Sequence, residues 1–292
     1  MTDQAASAPP ALFDLPAEFS RVETAAAVVV PVPYDRTSSW KRGSAAGPAA
    51  ILEASRFVEL YDLETDSEPY RHGLAALPPV VWDGPPERLA ERVADQVDNL
   101  LEREQIPIVI GGEHSVTIGA ARAAAARFPK LSVLQIDAHG DTRESYRGSP
   151  YNHACVMARL RECCPIVQVG VRSLDAEELP SLDRTRVFFA HTIVGGTDRT
   201  WIDRVVDLLT DDVYVTIDLD AFDPSVLPAT GTPEPGGLGW YDMTELLARV
   251  ASHRRVRAFD IVELCPAEGH HASAFTAAKL LYRFLAMILA SR

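Results

Sequence analysis

Seven short segments of the chain are almost continuously apolar: residues 26–32, 106–110, 131–136, 166–169, 186–189, 213–217 and 256–261. A strand with one wet face alternates apolar and polar residues, whereas a parallel strand covered on both faces does not. These runs therefore predict strands of a buried parallel sheet. Helical patterns lie between them, over 86–104, 115–127, 198–209, 242–253 and 273–289. The first opens on Pro86, a favoured first-turn residue; the second is alanine-rich and stops before Pro129. This alternation predicts right-handed βαβ units, and so a three-layer α/β/α fold with a central, mainly parallel sheet. No internal repeat or low-complexity linker divides the chain. A single domain over residues 1–292 is expected, with the Ala- and Pro-rich residues 1–22 as a loosely ordered lead-in.

With 47% hydrophobic and 24% charged residues among 292, the chain can build a substantial core, which excludes a disordered or coiled-coil protein. Its formal net charge of −13 argues against nucleic-acid or anionic-membrane binding, which need clustered Lys and Arg, and suits cationic ligands. No apolar run reaches the roughly 18–20 residues of a membrane span, and Met1-Thr2-Asp3-Gln4 lacks the basic start of a signal peptide. The four cysteines contain no CxxC pair, and Cys163 and Cys164 are adjacent. Reduced thiols in a cytoplasmic protein are expected, rather than a disulfide framework or a zinc ribbon.

In open parallel sheets, ligands bind beyond the carboxyl ends of the strands. Four predicted strands leave acids or histidines there: Glu113 and His114 after 106–110, Asp137, His139 and Asp141 after 131–136, Asp218 and Asp220 after 213–217, and Glu263 after 256–261. Residues two apart in extended backbone face the same side, so Asp137, His139 and Asp141 aim together, as do Asp218 and Asp220. With His114 they make four carboxylates and two imidazoles, a set that repels itself when dry and is relieved by divalent cations. Oxygen and nitrogen donors without thiolate suit Mn²⁺ or a similar six-coordinate ion better than structural zinc. Six side chains suit two ions better than one, and ions ~3.5–4 Å apart make a nucleophile of water at neutral pH. Taken singly, each residue has a plainer role: an Asp at a strand end caps a helix or forms a turn, and a lone His139 sits hydrogen-bonded in a core. Gly111-Gly112 hints at a phosphate loop, but neither GxGxxG nor GxxxxGKS/T follows. Only the joint pattern points to a dinuclear metal site.

At these residues the sequence resembles the ureohydrolase family of arginases, agmatinases and related amidinohydrolases. Residues 111–115 are similar to the family's first metal motif, where Asp often stands in place of Glu113; residues 137–141 and 216–224 are similar to the second and third. Residues 230–237, and Gly47-Pro48 with Ile51 and Ser55, extend the resemblance over nearly the whole chain from about Val28. It implies an arginase-like fold and two Mn²⁺ per subunit. One ion would be held by His114, Asp137, Asp141 and Asp218, the other by Asp137, His139, Asp218 and Asp220. It also implies that Asp141 orients the nucleophile, that His153 shuttles protons and that Glu263 anchors a guanidinium, in a homo-oligomer, trimer or hexamer. Outside the family pattern, His153 reads as a loop histidine and Glu263 as a structural ion pair.

The implied reaction is hydrolysis of a small cationic guanidino compound with release of urea. The loop 142–157, with Tyr146, Gly148 and the run 153–157, resembles prokaryotic agmatinases more than arginases. Agmatine to putrescine plus urea is the first reading; guanidinobutyrate, another guanidino acid or guanidine follows, then arginine or formiminoglutamate. Glu144 would favour an amine tail, and Arg143 or Arg147 a carboxylate. A different class, a dinuclear phosphohydrolase, needs a cation such as Arg143 or Arg172 at the metals. A non-catalytic metal-binding paralogue would lack a ligand or the guanidinium acid. His270 and His271 are expected as an exposed pair at a helix start, and Cys155 and Cys265 as packing thiols.

Overall fold

All seven apolar segments form strands, and an eighth joins them at one edge. In chain order they are β1 (Ala27–Val32), β2 (Leu74–Ala76), β3 (Ile106–Gly111), β4 (Ser132–Ile136), β5 (Ile166–Val169), β6 (Val187–Phe188), β7 (Asp212–Asp218) and β8 (Arg255–Val262). The computed structural model describes residues 12–291. Every strand pair is parallel, in the order β2-β1-β3-β8-β7-β4-β5-β6. The helices are α1 (Gly47–Ser55), α2 (Pro86–Glu102), α3 (Thr117–Arg127), α4 (Val156–Leu160), α5 (Ala190–Ile193), α6 (Thr200–Leu208), α7 (Trp240–His253) and α8 (His271–Ala290). Short β2, α1, α4 and α5 escape the sequence pattern, because three to nine residues carry too little periodicity to register.

Successive residues of each strand serve opposite layers. Val28, Val30 and Val32 of β1 pack with α2 and α3, through Leu89, Val93, Val97 and Ile118, while Ala27 and Val29 belong to the core shared with α1 and α8. This two-sided cover is why the strands read as unbroken apolar runs.

Two expectations need correction. Residues 1–11 of the lead-in lie outside the described residues; of residues 12–22, Leu12 and Phe13 are buried while most of the others stay exposed. Phe13 is 2% exposed, its amide donates to Ser55 Oγ at 3.0 Å, and its ring meets Tyr282 at 4.7 Å. Leu12 and Phe13, with Leu15 partly buried beside them, tie the start of the described chain to the core shared by α1 and α8. Secondly, α8 is by length and composition apolar enough to cross a membrane, with 20 residues and a mean hydropathy of 1.4. Lys279 and Arg283 interrupt it in sequence, yet 67% of its most apolar window is buried inside the fold. Arg283 faces Asp62 at 3.3 Å and Glu64. It is the covering helix of the sheet.

Candidate metal centre

β3, β8, β7 and β4 are four consecutive strands in the middle of the sheet, and their carboxyl ends carry His114, Glu263, Asp218 and Asp137. The crossover from β3 to β4 passes over β8 and β7, so four exits from distant parts of the chain converge on one crevice. Gly111-Gly112 serves this convergence rather than a phosphate. A Cβ on Gly112 would lie 2.1 Å from the Tyr34 carbonyl, and one on Gly111 would lie 2.4 Å from Val116. The close approach sets His114 at the start of the turn that leads into α3. Local hydrogen bonds then aim the acids: Asp137 accepts the His139 amide at 2.6 Å and Gln135 Nε2 at 2.7 Å, and Asp218 accepts the Asp220 amide at 2.9 Å. Asp141 and Glu263 hold φ of 52° and 65°, a left-handed backbone rare for side-chain-bearing residues and concentrated at functional sites.

The six residues singled out as metal ligands come together. His114 Nδ1 lies 2.9 Å from Asp141, 3.1 Å from Asp137 and 3.4 Å from Asp218. His139 Nδ1 lies 3.0 Å from Asp220 and 3.5 Å from Asp137. Two groups, His114–Asp137–Asp218 and Asp137–His139–Asp220, each keep their ligand atoms within 4.8 Å and share Asp137. Asp218 belongs to the first group and also accepts the Asp220 amide, so it stands next to the second.

The electrostatics match a cation site. Burial, with Asp137 alongside, pushes Asp141 up to about 7. Burial together with Asp220 and Asp137 pushes Asp218 well above the ordinary carboxylate range. Burial opposes charge on His114 and His139, yet the surrounding carboxylates raise both well above the ordinary histidine value. His114 Nδ1 is buried without a hydrogen-bond partner although three carboxylates surround it. An unpartnered buried nitrogen among crowded acids is the environment a divalent ion relieves, and the thiolate-free donors suit a hard or borderline one.

Beside this cluster opens a cleft of ≈ 170 Å³, whose walls include Glu263, His153, Trp40 and Tyr146. Glu263 accepts the His114 amide at 2.8 Å, and burial, with Glu113 nearby, pushes it up to about 8. Burial lowers His153 to about 4, not the near-neutral value that its residue type suggests, so it is neutral at neutral pH.

Sequence reasoning missed the residues behind these. His114 Nε2 meets Thr216 Oγ1 at 2.9 Å, Thr216 donates to Asp260 at 2.6 Å, and Tyr214 donates to the other Asp260 oxygen at 2.6 Å. Asp260 is completely buried. Behind Asp137, Gln135 is held in turn by Gln168 at 2.6 Å. A signal was available: Gln135, Gln168, Thr216 and Asp260 are polar residues at buried interior positions of their strands.

Other candidates fall away from the cleft. Glu144 is 67% exposed and pairs with Arg159 and Arg161. Arg172 spends its guanidinium on backbone carbonyls, among them Asp220 at 2.7 Å and Glu234 at 2.8 Å, which removes one of the phosphate-holding cations that a phosphohydrolase reading needs. Arg143 lines the cleft but is flanked by Asp175 at 3.2 Å and Glu178 at 3.6 Å. Cys155 and Cys265 are buried, and His270 and His271 are exposed at the start of α8.

An open parallel sheet with a buried carboxylate–imidazole cluster at its carboxyl edge defines a candidate metallohydrolase. Residues 25–287 match the arginase family. The chain is 37% identical over 272 residues to the N(1)-aminopropylagmatine ureohydrolase of Synechocystis sp., covering 89% of this chain and 88% of that protein. It is 34% identical over 281 residues to the agmatinase of Pyrococcus horikoshii, covering 94% and 96%. Its fold matches the crystal structure of the agmatine ureohydrolase of Thermoplasma volcanium with a TM-score of 0.86 at 34% identity, over 94% of each chain. The chain belongs to the arginase family and is a hydrolase of the ureohydrolase class.

Proposed function

We propose that this chain hydrolyses an amine-tailed guanidino compound, agmatine first, to urea and the corresponding amine. The observation that carries the reading is the pair of ligand groups joined through Asp137, with Glu263 in the wall of the same cleft. His114, Asp137, Asp141, His139, Asp218 and Asp220 would hold two Mn²⁺ ions. Bound there, the ions supply a nucleophile from water at neutral pH and offset the repulsion among the acids. Glu263 pairs with the planar guanidinium through charge-assisted hydrogen bonds, holding its carbon for attack. Asp141 accepts a hydrogen bond from the attacking water and orients it. As the C–N bond breaks, the leaving amine needs a proton; His153, neutral in the wall, takes one up and hands it on.

Two observations bear on the tail. Arg143 already faces two acids, so it offers little to a substrate carboxylate, whereas Lys41 on the cleft wall has no ion pair among the described residues. The relatives named for N(1)-aminopropylagmatine support that longer amine as a second reading. Comparing kcat/KM for agmatine, N(1)-aminopropylagmatine and guanidinobutyrate tests the tail. Guanidinobutyrate ahead of both amines would overturn the amine preference, and Lys41→Met would then abolish that lead. The same reading takes the chain as a single working domain in a cytoplasmic homo-oligomer, trimer or hexamer. Light scattering of the purified protein measures that assembly.

Metal should govern stability. At 100-fold excess over Kd, a bound ion adds about 2.7 kcal/mol, and about 2–4 °C accompanies each kcal/mol in a large domain. Two such ions are therefore expected to raise Tm by roughly 10–20 °C over chelator-treated protein; an unchanged Tm would contradict the site. The pH dependence follows from the raised values. Folded Asp141 and Asp218 keep protons that they lose in the unfolded chain, and His114 and His139 do the same. Metal-free protein should thus lose stability as pH rises from the ordinary carboxylate value of about 4 through about 7 and beyond, and Mn²⁺ should flatten that slope.

Behind the site, Asp260→Asn should weaken metal affinity roughly 10–100-fold, as loss of an outer partner of a ligating histidine does. Chelator competition measures it, and wild-type affinity would exclude Asp260 from the His114 network.

A further inference from the structure

Glu113 lies between β3 and His114 and is completely buried. Its carboxylate meets donors: the Thr37 amide at 2.6 Å and the Ser38 hydroxyl at 3.4 Å on Oε2, the Thr37 hydroxyl at 2.5 Å and the Ser115 hydroxyl at 2.6 Å on Oε1. The amide can only donate; burial raises the Glu113 carboxyl, but the hydrogen bonds from Ser115, Thr37 and Ser38 oppose that and hold it as acceptor. The Thr37 hydroxyl proton is therefore given to Glu113. Two nitrogens of His153 then reach the lone pairs of Thr37 Oγ1, its backbone N at 3.1 Å and its ring Nδ1 at 3.3 Å. With the hydroxyl proton already committed, Nδ1 has to be the donor in that contact. A neutral His153 then carries its proton on Nδ1 and keeps Nε2 bare. Tyr146 packs edge-on against the ring, with centroids 6.0 Å apart, and closes its other side.

We propose that Glu113 and Thr37 are positioning residues: acting through the Thr37 hydroxyl, they fix the tautomer and orientation of His153, so that bare Nε2 faces the reaction as the proton-accepting nitrogen. The functional part of this inference rests on the relay role proposed above for His153; the tautomer itself does not. Because burial keeps the ring neutral, the choice between its two nitrogens decides whether it can accept a proton on the cleft side. The Glu113 carboxylate reaches from the end of β3 to the loop after β1, where Thr37 sits.

The test reads the tautomer directly. Protein labelled with ¹⁵N-histidine and loaded with diamagnetic Zn²⁺ is studied by solid-state ¹⁵N spectroscopy, with the His153 signals assigned by their loss in His153→Asn. Wild type should show protonated Nδ1 and bare Nε2. Thr37→Val and Glu113→Gln should mix the tautomers, while Thr37→Ser, which keeps the hydroxyl, should restore the single form. In parallel, with Mn²⁺, Thr37→Val should lower kcat by roughly 10–100-fold with KM within about twofold, since a wrongly protonated catalytic histidine costs up to about 10⁴; Thr37→Ser should recover most of the loss. Bare Nδ1 in wild type, or an unmixed tautomer in Thr37→Val, would overturn the proposal even if urea is released. Failure of every guanidino substrate would instead strike the functional reading and leave the tautomer result standing. Should Glu113→Gln fail to fold, the Thr37 pair decides alone.

Discussion

Asp218→Ala is expected to strip the protein of bound metal and to lower urea release by at least about 10³-fold, several kcal/mol of lost charge stabilisation. Asp218 is 3% exposed and lies 3.4 Å from His114 Nδ1, in the group that shares Asp137 with its neighbour. Alanine removes a buried carboxylate donor that lies beside His114, Asp137 and Asp220. The fold should survive. Asp218 is a buried acid that burial, Asp220 and Asp137 force to keep its proton, so its removal spares the metal-free protein that cost. Metal-free Asp218→Ala should therefore melt no lower than metal-free wild type near neutral pH. Elemental analysis showing two ions per chain in this variant would contradict the assignment.

The second large effect separates substrate binding from metal binding. Glu263→Gln should keep both ions yet lower kcat/KM by about 10²–10⁴, because losing one member of a buried ion pair costs about 3–5 kcal/mol. Glutamine has nearly the same shape, and its amide oxygen can still accept the His114 amide that Glu263 holds at 2.8 Å. What it loses is the charge and the second acceptor that match a guanidinium fork. Unchanged kcat/KM would dismiss Glu263 as the anchor, and lost metal would reassign it to the metal cluster.

The parts of the site legible in the sequence were those with a spacing rule. Asp137-x-His139-x-Asp141 and Asp218-x-Asp220 follow strands, and the period-two rule groups each set, although left-handed Asp141 and the 3-10 turn at Asp220 are what finally aim them. Their meeting depends on a sheet order in which β8 and β7 stand between β3 and β4, which nothing in a hydrophobic pattern encodes. The buried partners lacked any rule of their own. Thr216 and Asp260 are interruptions of apolar strands, visible but without a stated partner until β7 and β8 are paired, with Thr216 opposite Asp260. Thr37 gave no signal, since its role comes from a loop folded onto Glu113 from 76 residues away. The neutral state of His153 likewise comes from burial, a tertiary property.

Urea release tests the central claim most directly. Protein freed of metal and then reloaded with Mn²⁺ is offered agmatine, N(1)-aminopropylagmatine, guanidinobutyrate, arginine and guanidine, and urea is measured with and without the metal. The expected result is metal-dependent urea from an amine-tailed guanidino compound, with the matching amine formed in equal amount. No urea from any of the five, with two ions verified per chain, would contradict the account.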